Sequence, residues 1–291
     1  MRKNNRKKMT LSDIPDLDRL IEQSLAEDLG DGDHSALACI PDSAIGKAHL
    51  LVKEDGILAG VELAERIFKK VDSRFEMEVF IQDGGRVKKG DIAFIVTGPS
   101  QKLLSAERLI LNFMQRLSAI ATQTAVYANL LKGTKTKVLD TRKTTPGLRY
   151  LEKWAVSIGG GYNHRIGLFD MIMLKDNHID FAGGIEQAIN KTKKYLQKTG
   201  RKLKIEIETR DLTELNEVLR VGGVDRIMLD NFSFADTKTA VKLIAGRYET
   251  ESSGGITLDT IAEYAKCGVD YISVGALTHS VKSMDLSLKA I

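Results

Sequence analysis

Residues 140–149, DTRKTTPGLR, place three fixed cations, Arg142, Lys143 and Arg149, directly behind an apolar run and around a Pro-Gly break. Two further stretches add to them: SIGGGYNHRIG at 157–167 carries His164 and Arg165 just after three glycines, and DMIMLKD at 170–176 ends an apolar segment on Lys175. Guanidinium forks suit planar carboxylates, and an ammonium suits phosphate as a point charge. The cluster reads either as ion-paired scaffolding or as part of a polyanion cage. Asp140 and Asp170 look too few to neutralise it, and cations this dense repel one another in a cavity until a multiply charged anion joins them. The cage is therefore the favoured reading.

Other residues extend the chemistry. ESSGGITLDTIAEYA runs from a strand end through Ser253, Gly254 and Gly255 into a helical stretch, which predicts backbone amides at a helix N-terminus and hence an anion site. SVGALTHS, with Val274, Gly275 and Ala276, predicts a second such turn, although a pair of glycines also serves any tight turn. Glu208 and Asp230 close two apolar segments and would suit either the cations or a ribose diol with a hydrated Mg²⁺. Lys175 alone would also suit a Schiff-base nucleophile. His34 and His178 lack partners at metal-ligand spacing, and Trp154 reads as packing.

These residues need a scaffold, and the pattern supplies one. LDRLIEQSLAEDL has the apolar spacing of an amphipathic helix, and 47–98 switches to short alternating segments with Asp-Gly turns around one helical stretch, VELAERIFKKV. A long helix follows, with Ala106, Leu109, Ile110, Phe113, Met114 and Leu117 on one stripe. Arg108 falls about 180° from that stripe at roughly 100° per residue, so it faces away from its own core. From 137 onward KVLD, DMIMLKD, LKIEIET, DRIMLDN, RYETES and DYISVGA recur with helical stretches between most of them, which predicts parallel strands in a βα barrel, complete or open. A doubly wound sheet is the alternative, but no G-x-G-x-x-G follows a strand. In such barrels chemistry sits at the carboxyl ends of the strands, where Arg142, Lys143, Lys175, Glu208 and Asp230 fall, with His164 and Arg165 added by the glycine-rich stretch.

Composition narrows the classes. With 291 residues and 43% hydrophobic content the chain can bury a large core, and a net charge of +4 from 43 basic and 39 acidic residues is too small for a nucleic-acid coat. Cys39 and Cys267 are far apart, which argues against a disulfide framework and for a reducing, cytoplasmic compartment. No apolar run approaches a membrane span. The basic start, Arg2, Lys3, Arg6, Lys7 and Lys8, reads as a disordered tail over 1–9 rather than a polyanion-binding arm.

EDLGDGD, ERLILNFMQRLSAIAT, DTRKTTPGLR, EKWAVSIGGGYNHRIGLFD, MLKDNHI, EIET, LDNF, ESSGGI and GVDYISVGALTHS, in this order from about residue 20 to the end, closely resemble the quinolinate phosphoribosyltransferase family. The departures are Ala119 where the helix motif more often has glycine, Ser35 where threonine is common, and the basic extension. The resemblance implies an N-terminal α/β sandwich over 1–117, with 280–291 packing back on it, and an incomplete βα barrel of the type II phosphoribosyltransferases over 118–279. It implies joining of quinolinate to phosphoribosyl pyrophosphate with loss of CO2, giving nicotinate mononucleotide for NAD biosynthesis, with Mg²⁺ as cofactor. It further implies a homodimer, leaving open a trimer of dimers, in which Arg108 enters the neighbour's site. By the same resemblance Arg142, His164, Arg165 and Lys175 hold the quinolinate carboxylates, and Thr141 and Lys143 line that site. Glu208 and Asp230 face ribose and Mg²⁺, while Ser253, Gly254, Gly255, Val274, Gly275 and Ala276 surround the 5-phosphate. Lys143, Glu208, Asp230 and Lys175 are the expected catalytic residues. Rival readings are a related base phosphoribosyltransferase or pyrophosphorylase on the same scaffold, a Schiff-base barrel enzyme, and a non-catalytic phosphate sensor or nucleic-acid binder.

Overall fold

The computed structural model describes residues 8–291, so Arg2, Lys3, Arg6 and Lys7 lie outside the described residues and most of the expected tail with them. In chain order the helices are α1 (Leu17–Leu29), α2 (His34–Cys39), α3 (Val61–Val71), α4 (Ser100–Leu130), α5 (Arg149–Ile158), α6 (Asp176–Ala182), α7 (Ile185–Thr199), α8 (Leu212–Val221), α9 (Phe234–Ile244), α10 (Ile261–Lys266) and α11 (Ala276–His279). The strands are β1 (Ile45–Val52), β2 (Gly56–Ile57), β3 (Glu76–Val79), β4 (Arg86–Val87), β5 (Ile92–Pro99), β6 (Lys137–Leu139), β7 (Ile172–Leu174), β8 (Ile205–Thr209), β9 (Arg226–Asp230), β10 (Glu249–Ser253), β11 (Tyr271–Ser273) and β12 (Leu286–Ala290). Two compact units result. One runs up to Ala125 and adds Thr145–Gly160 and Leu277–Ile291; the other comprises Val126–Thr144 and Gly161–Ala276.

The first unit is built on an antiparallel sheet of order β12-β1-β5-β3, so the last strand of the chain pairs with the first, Leu50 opposite Leu288. Helix α3 buries Val61, Ala64, Ile67 and Phe68, the stripe that its spacing predicts. Its start is capped from a distance: the Asp83 carboxylate accepts the amides of Gly60, Val61 and Glu62 at 2.6, 2.9 and 3.1 Å. A carboxylate there satisfies orphan donors and opposes the positive end of the helix. Phe68 packs against Phe75 and Phe94 with ring centroids 5.0 and 6.5 Å away. The Phe75 ring lies so close to Gly98 of β5 that a Cβ there would come within 2.2 Å of it.

The second unit is a parallel sheet of order β6-β11-β10-β9-β8-β7. From β7 to β11 each strand pairs with the next in sequence, and β6 then pairs with β11. That succession is the one that closes a barrel; a doubly wound sheet would reverse direction at a switch point. Closure stops short, because β6 and β7 do not pair, and the barrel is incomplete as expected. On its open side β6 is met by one segment at Tyr162, which pairs with Leu139, accepts from the Asp140 amide at 3.1 Å and donates to Val138 O at 2.9 Å. All five residues of β8 are buried, as in a sheet covered on both faces. The helices between strands begin on side-chain caps where the sequence offers them: Asp211 accepts from the Glu214 amide for α8 and Ser233 from the Asp236 amide for α9.

Gly98→Ala should lower stability by about 1–3 kcal/mol, since the added methyl overpacks the Phe75 ring. Urea denaturation of both proteins measures it, and a wild-type midpoint would remove the steric account.

Candidate active site

Each strand of the incomplete barrel ends in a charged or glycine-containing turn, and these turns carry the expected residues. After β6 come Thr141 and Arg142, both half-buried, and Lys143, exposed, whose amide donates to Thr141 Oγ1 at 3.1 Å. The segment beyond Tyr162 carries His164 and Arg165, 7% and 9% exposed. It is fixed by Asp140, whose two carboxylate oxygens accept the His164 amide at 2.8 Å and the Asn163 side-chain amide at 2.6 Å. Asp170 does the same for the next turn, accepting the amides of Ile166 and Gly167 at 2.8 and 2.9 Å. The two acids that the sequence places among the cations thus accept amide groups of the rim segments, backbone amides in all but one case.

The acids that face the cations come from the strands opposite. Lys175, at the end of β7, lies 2.9 Å from Glu208 of β8. His164 Nε2 lies 3.0 Å from Glu206 and 3.5 Å from Glu251, both fully buried. The expectation of an un-neutralised cage therefore needs a correction: Lys175 and His164 already have acidic neighbours. The arginines are matched less closely, although Glu206 and Asp170 both favour the charge of Arg165. Arg165 donates to Met171 O at 3.1 Å, and the Arg142 Nε is buried without a hydrogen-bond partner among the described residues. Burial first, and then the neighbouring Arg142 guanidinium, lower the pKa of Arg165, as expected when two like charges share a poorly hydrated space.

On the other side of the rim, β9 and β10 end together. Asp230 is in register with Ser253, Asn231 donates its amide to Ser253 O at 2.9 Å, and its side chain donates to Asp230 at 2.7 Å. Gly254 has φ +94° and sits so near that a Cβ would lie 2.1 Å from Asn231 Oδ1. Glycine is required there by close approach as well as by conformation. Helix α10 begins only at Ile261, so the expected helix N-terminus at Gly255 is absent, and an irregular stretch with a turn at 258–260 comes between. Gly275 and Ala276, by contrast, lead straight into α11. Arg108 belongs to the other unit, where it is exposed on α4, in agreement with its place opposite the apolar stripe.

Three residues escaped the sequence reading as partners of this cluster: Glu206, Arg226 and Glu251. Arg226 is 2% exposed and lies 2.7 Å from Glu251, 3.0 Å from Glu249 and 3.8 Å from Glu206, with its guanidinium 4.2 Å over the Tyr271 ring. Burial opposes the charged form of Glu206, but His164 and Arg226 outweigh it and hold that carboxyl below its ordinary range; burial and then Glu206 push Glu251 above it. The signal was present as alternation. Glu206 and Glu208 alternate in LKIEIET, and Glu249 and Glu251 in RYETES, at the period at which strand residues share one face, while Arg226 stands alone at the head of RIMLD. His34 and His178 act as the sequence suggests, by hydrogen bonds and pairing: His178 accepts from the Lys175 amide at 3.1 Å, and His34 lies 3.4 Å from Asp31.

Comparison with known proteins agrees with this geometry. Residues 33–118 match the family model for the quinolinate phosphoribosyl transferase N-terminal domain and residues 120–289 that for its C-terminal domain. The chain is 48% identical over 289 residues to quinolinate phosphoribosyltransferase [decarboxylating] 1b of Nicotiana tabacum, covering 94% of this chain and 82% of that one. It is 41% identical to the probable nicotinate-nucleotide pyrophosphorylase [carboxylating] of Bacillus subtilis over 272 residues, with 94% and 92% covered. The crystal structure of NadC from Streptococcus pyogenes superposes with a TM-score of 0.90 at 40% identity, covering 98% of this chain and 100% of the other. A barrel that stops one pairing short and matches across both domains place this chain in the quinolinate phosphoribosyltransferase family.

Proposed function

We propose a division of labour among these residues for the reaction of this chain, transfer of the phosphoribosyl group of phosphoribosyl pyrophosphate to quinolinate with loss of CO2, giving nicotinate mononucleotide and pyrophosphate. The observation that carries it is the neighbouring Arg142 and Arg165, the first half-buried and the second buried, whose mutual repulsion a pyridine diacid would relieve. In this reading Arg142, Arg165 and Lys175 take the two carboxylates, with His164 and Thr141 bordering them. Lys143 is exposed at the same turn and would meet pyrophosphate as it leaves. Asp230 would steady the positive charge that develops on the ribose as its C1 bond to pyrophosphate loosens. The turns at Ser253–Gly255 and Val274–Ala276 would take the 5-phosphate.

No nucleophile from the protein is needed. The quinolinate ring nitrogen forms the bond to C1 as pyrophosphate departs with its electron pair. The alkylated nitrogen is then a permanent cation, so the pair left at C2 when CO2 leaves is stabilised in the ring until a proton arrives. The chain's task is to desolvate and align two anions, for which fixed cations are the direct means.

Glu208 and Asp230 fit a Mg²⁺ bound through substrate. Each engages one carboxylate oxygen in a hydrogen bond within the protein, Glu208 with Lys175 and Asp230 with Asn231, which leaves a second oxygen on each. Magnesium prefers one or two carboxylates together with substrate phosphates, and when bound it would offset charge on the pyrophosphate. For assembly, the exposed Arg108 supports a homodimer in which this guanidinium completes a neighbour's diacid site. No helix among the described residues is long and apolar enough to cross a membrane, and Cys39 and Cys267 are free thiols, which supports a reducing, cytoplasmic setting.

Arg142→Ala should weaken quinolinate binding by at least about 30-fold, the lower end of losing one partner of a desolvated charge pair, and phosphoribosyl pyrophosphate binding by less than about threefold. Calorimetric titration of each substrate checks this, and equal losses would overturn the assignment. Arg108→Ala and Arg165→Ala should each be nearly inactive as homodimers. Mixed and re-equilibrated, they should recover about a quarter of wild-type activity, because half the dimers are hybrids with one intact site of two. No recovery would exclude a shared site. Release of CO2 should require quinolinate and phosphoribosyl pyrophosphate together, and nicotinate should not replace quinolinate; turnover of nicotinate would favour a related base transferase.

A further inference from the structure

The diacid reading leaves Glu206, Arg226 and Glu251 without a task, although all three are nearly or fully buried. They come from neighbouring strands, Glu206 in register with Arg226 across β8 and β9, and Glu251 on β10 beside them. Arg226 supplies the positive charge that makes two interior acids tolerable, and each acid has one oxygen close to the same atom, His164 Nε2, at 3.0 and 3.5 Å, near enough to act on it by charge although not aligned for a hydrogen bond. The other nitrogen of that ring is engaged differently. The Arg165 amide donates to His164 Nδ1 at 2.7 Å.

An imidazole nitrogen that accepts a hydrogen bond carries no proton, so the ring proton belongs on Nε2, between the two acids. The two acids, working against burial, raise the pKa of the ring, while the Arg165 amide opposes a second proton because Nδ1 would have to surrender its lone pair. The same tautomer speaks against a metal ion among His164, Glu206 and Glu251, which lie close enough to hold one: Nε2–H has no lone pair to give, and Arg226 is already the cation in the group.

We infer that Glu206, Arg226 and Glu251 are positioning residues for the diacid pocket: they fix the His164 ring as its Nε2–H tautomer, which leaves Nδ1 to hold the backbone of Arg165 and so sets the guanidinium beside Arg142. This rests on the reading of Arg142 and Arg165 as the diacid site. The need for such a hold follows from their like charges. Without an anion the two guanidiniums repel, and Arg165 is held against displacement by the Met171 carbonyl at its head, by the His164 ring at its backbone and by the nearby charges of Glu206 and Asp170. Preorganised cations bind without first being gathered.

The test uses the full chain labelled with ¹⁵N-histidine, with the His164 signals assigned by their loss in His164→Asn. In the wild type, Nδ1 should show the shift of an unprotonated, accepting nitrogen and Nε2 that of a protonated one; the opposite tautomer would overturn the proposal without touching the diacid assignment. Glu206→Ala should mix the two tautomers and weaken quinolinate binding about 10- to 100-fold, the usual effect of removing a partner that orients a binding histidine. Its kcat at saturating quinolinate should change much less, and phosphoribosyl pyrophosphate affinity should stay within about threefold. Glu206→Gln keeps an accepting oxygen toward Nε2–H, so it should retain the wild-type tautomer and most of the affinity, and this holds the test open if Glu206→Ala fails to fold. An unchanged tautomer in Glu206→Ala, or equal weakening of both substrates, would overturn the inference. Should Arg142→Ala leave quinolinate binding intact while the tautomer is as expected, the diacid reading alone has failed.

Discussion

Two guanidiniums that share a poorly hydrated space repel each other, and the barrel of this protein is organised so that they remain there. Arg142 and Arg165 arrive on different segments, one behind β6 and one behind the short pairing at Tyr162. The acids near them in sequence, Asp140 and Asp170, accept amides of the rim segments, Asp140 from His164 and Asn163 and Asp170 from Ile166 and Gly167. The acids of the strands opposite engage Lys175 and His164 instead. Charge in the unit is thus sorted by depth. The interior layer sets Arg226 against Glu206, Glu249 and Glu251, and the rim carries Arg142, Lys143 and Arg165 above it.

That sorting explains why both kinds of buried charge can coexist. An interior ion cluster stabilises a fold only weakly, since desolvation cancels most of its Coulombic gain. It does impose geometry, and geometry is what an anion site needs when its own cations would otherwise move apart. The turn at Asp230, Asn231 and Gly254 solves a different problem. Close backbone approach there excludes any side chain larger than hydrogen and draws the ends of β9 and β10 together.

Much of this was legible in the residues. The six strand segments of the barrel, the long helix α4, the outward face of Arg108 and the grouping of cations at strand ends all follow from periodicity and from the rule that chemistry gathers at carboxyl ends. Motif resemblance added the substrates. What escaped was pairing across strands: a list of charges near one another in sequence offered only Asp140 and Asp170 to the cations and left them un-neutralised, whereas a sheet brings together residues dozens of positions apart, such as Glu206 and Glu251. The helix expected at Gly255 failed for a local reason. Glycines at φ +94° and +58° turn the chain, and a further turn at 258–260 precedes α10.

The gap between β6 and β7 has a consequence for the chain's behaviour among its own copies. A parallel strand with a bare edge is a template on which another polypeptide can add, and a barrel normally escapes this by closing on itself. Here Tyr162 occupies the vacant donor and acceptor of β6 through its own amide and carbonyl. The same few residues that present the rim cations therefore also blunt the sticky border of the sheet, so loosening them would invite self-assembly as readily as it would lose substrate.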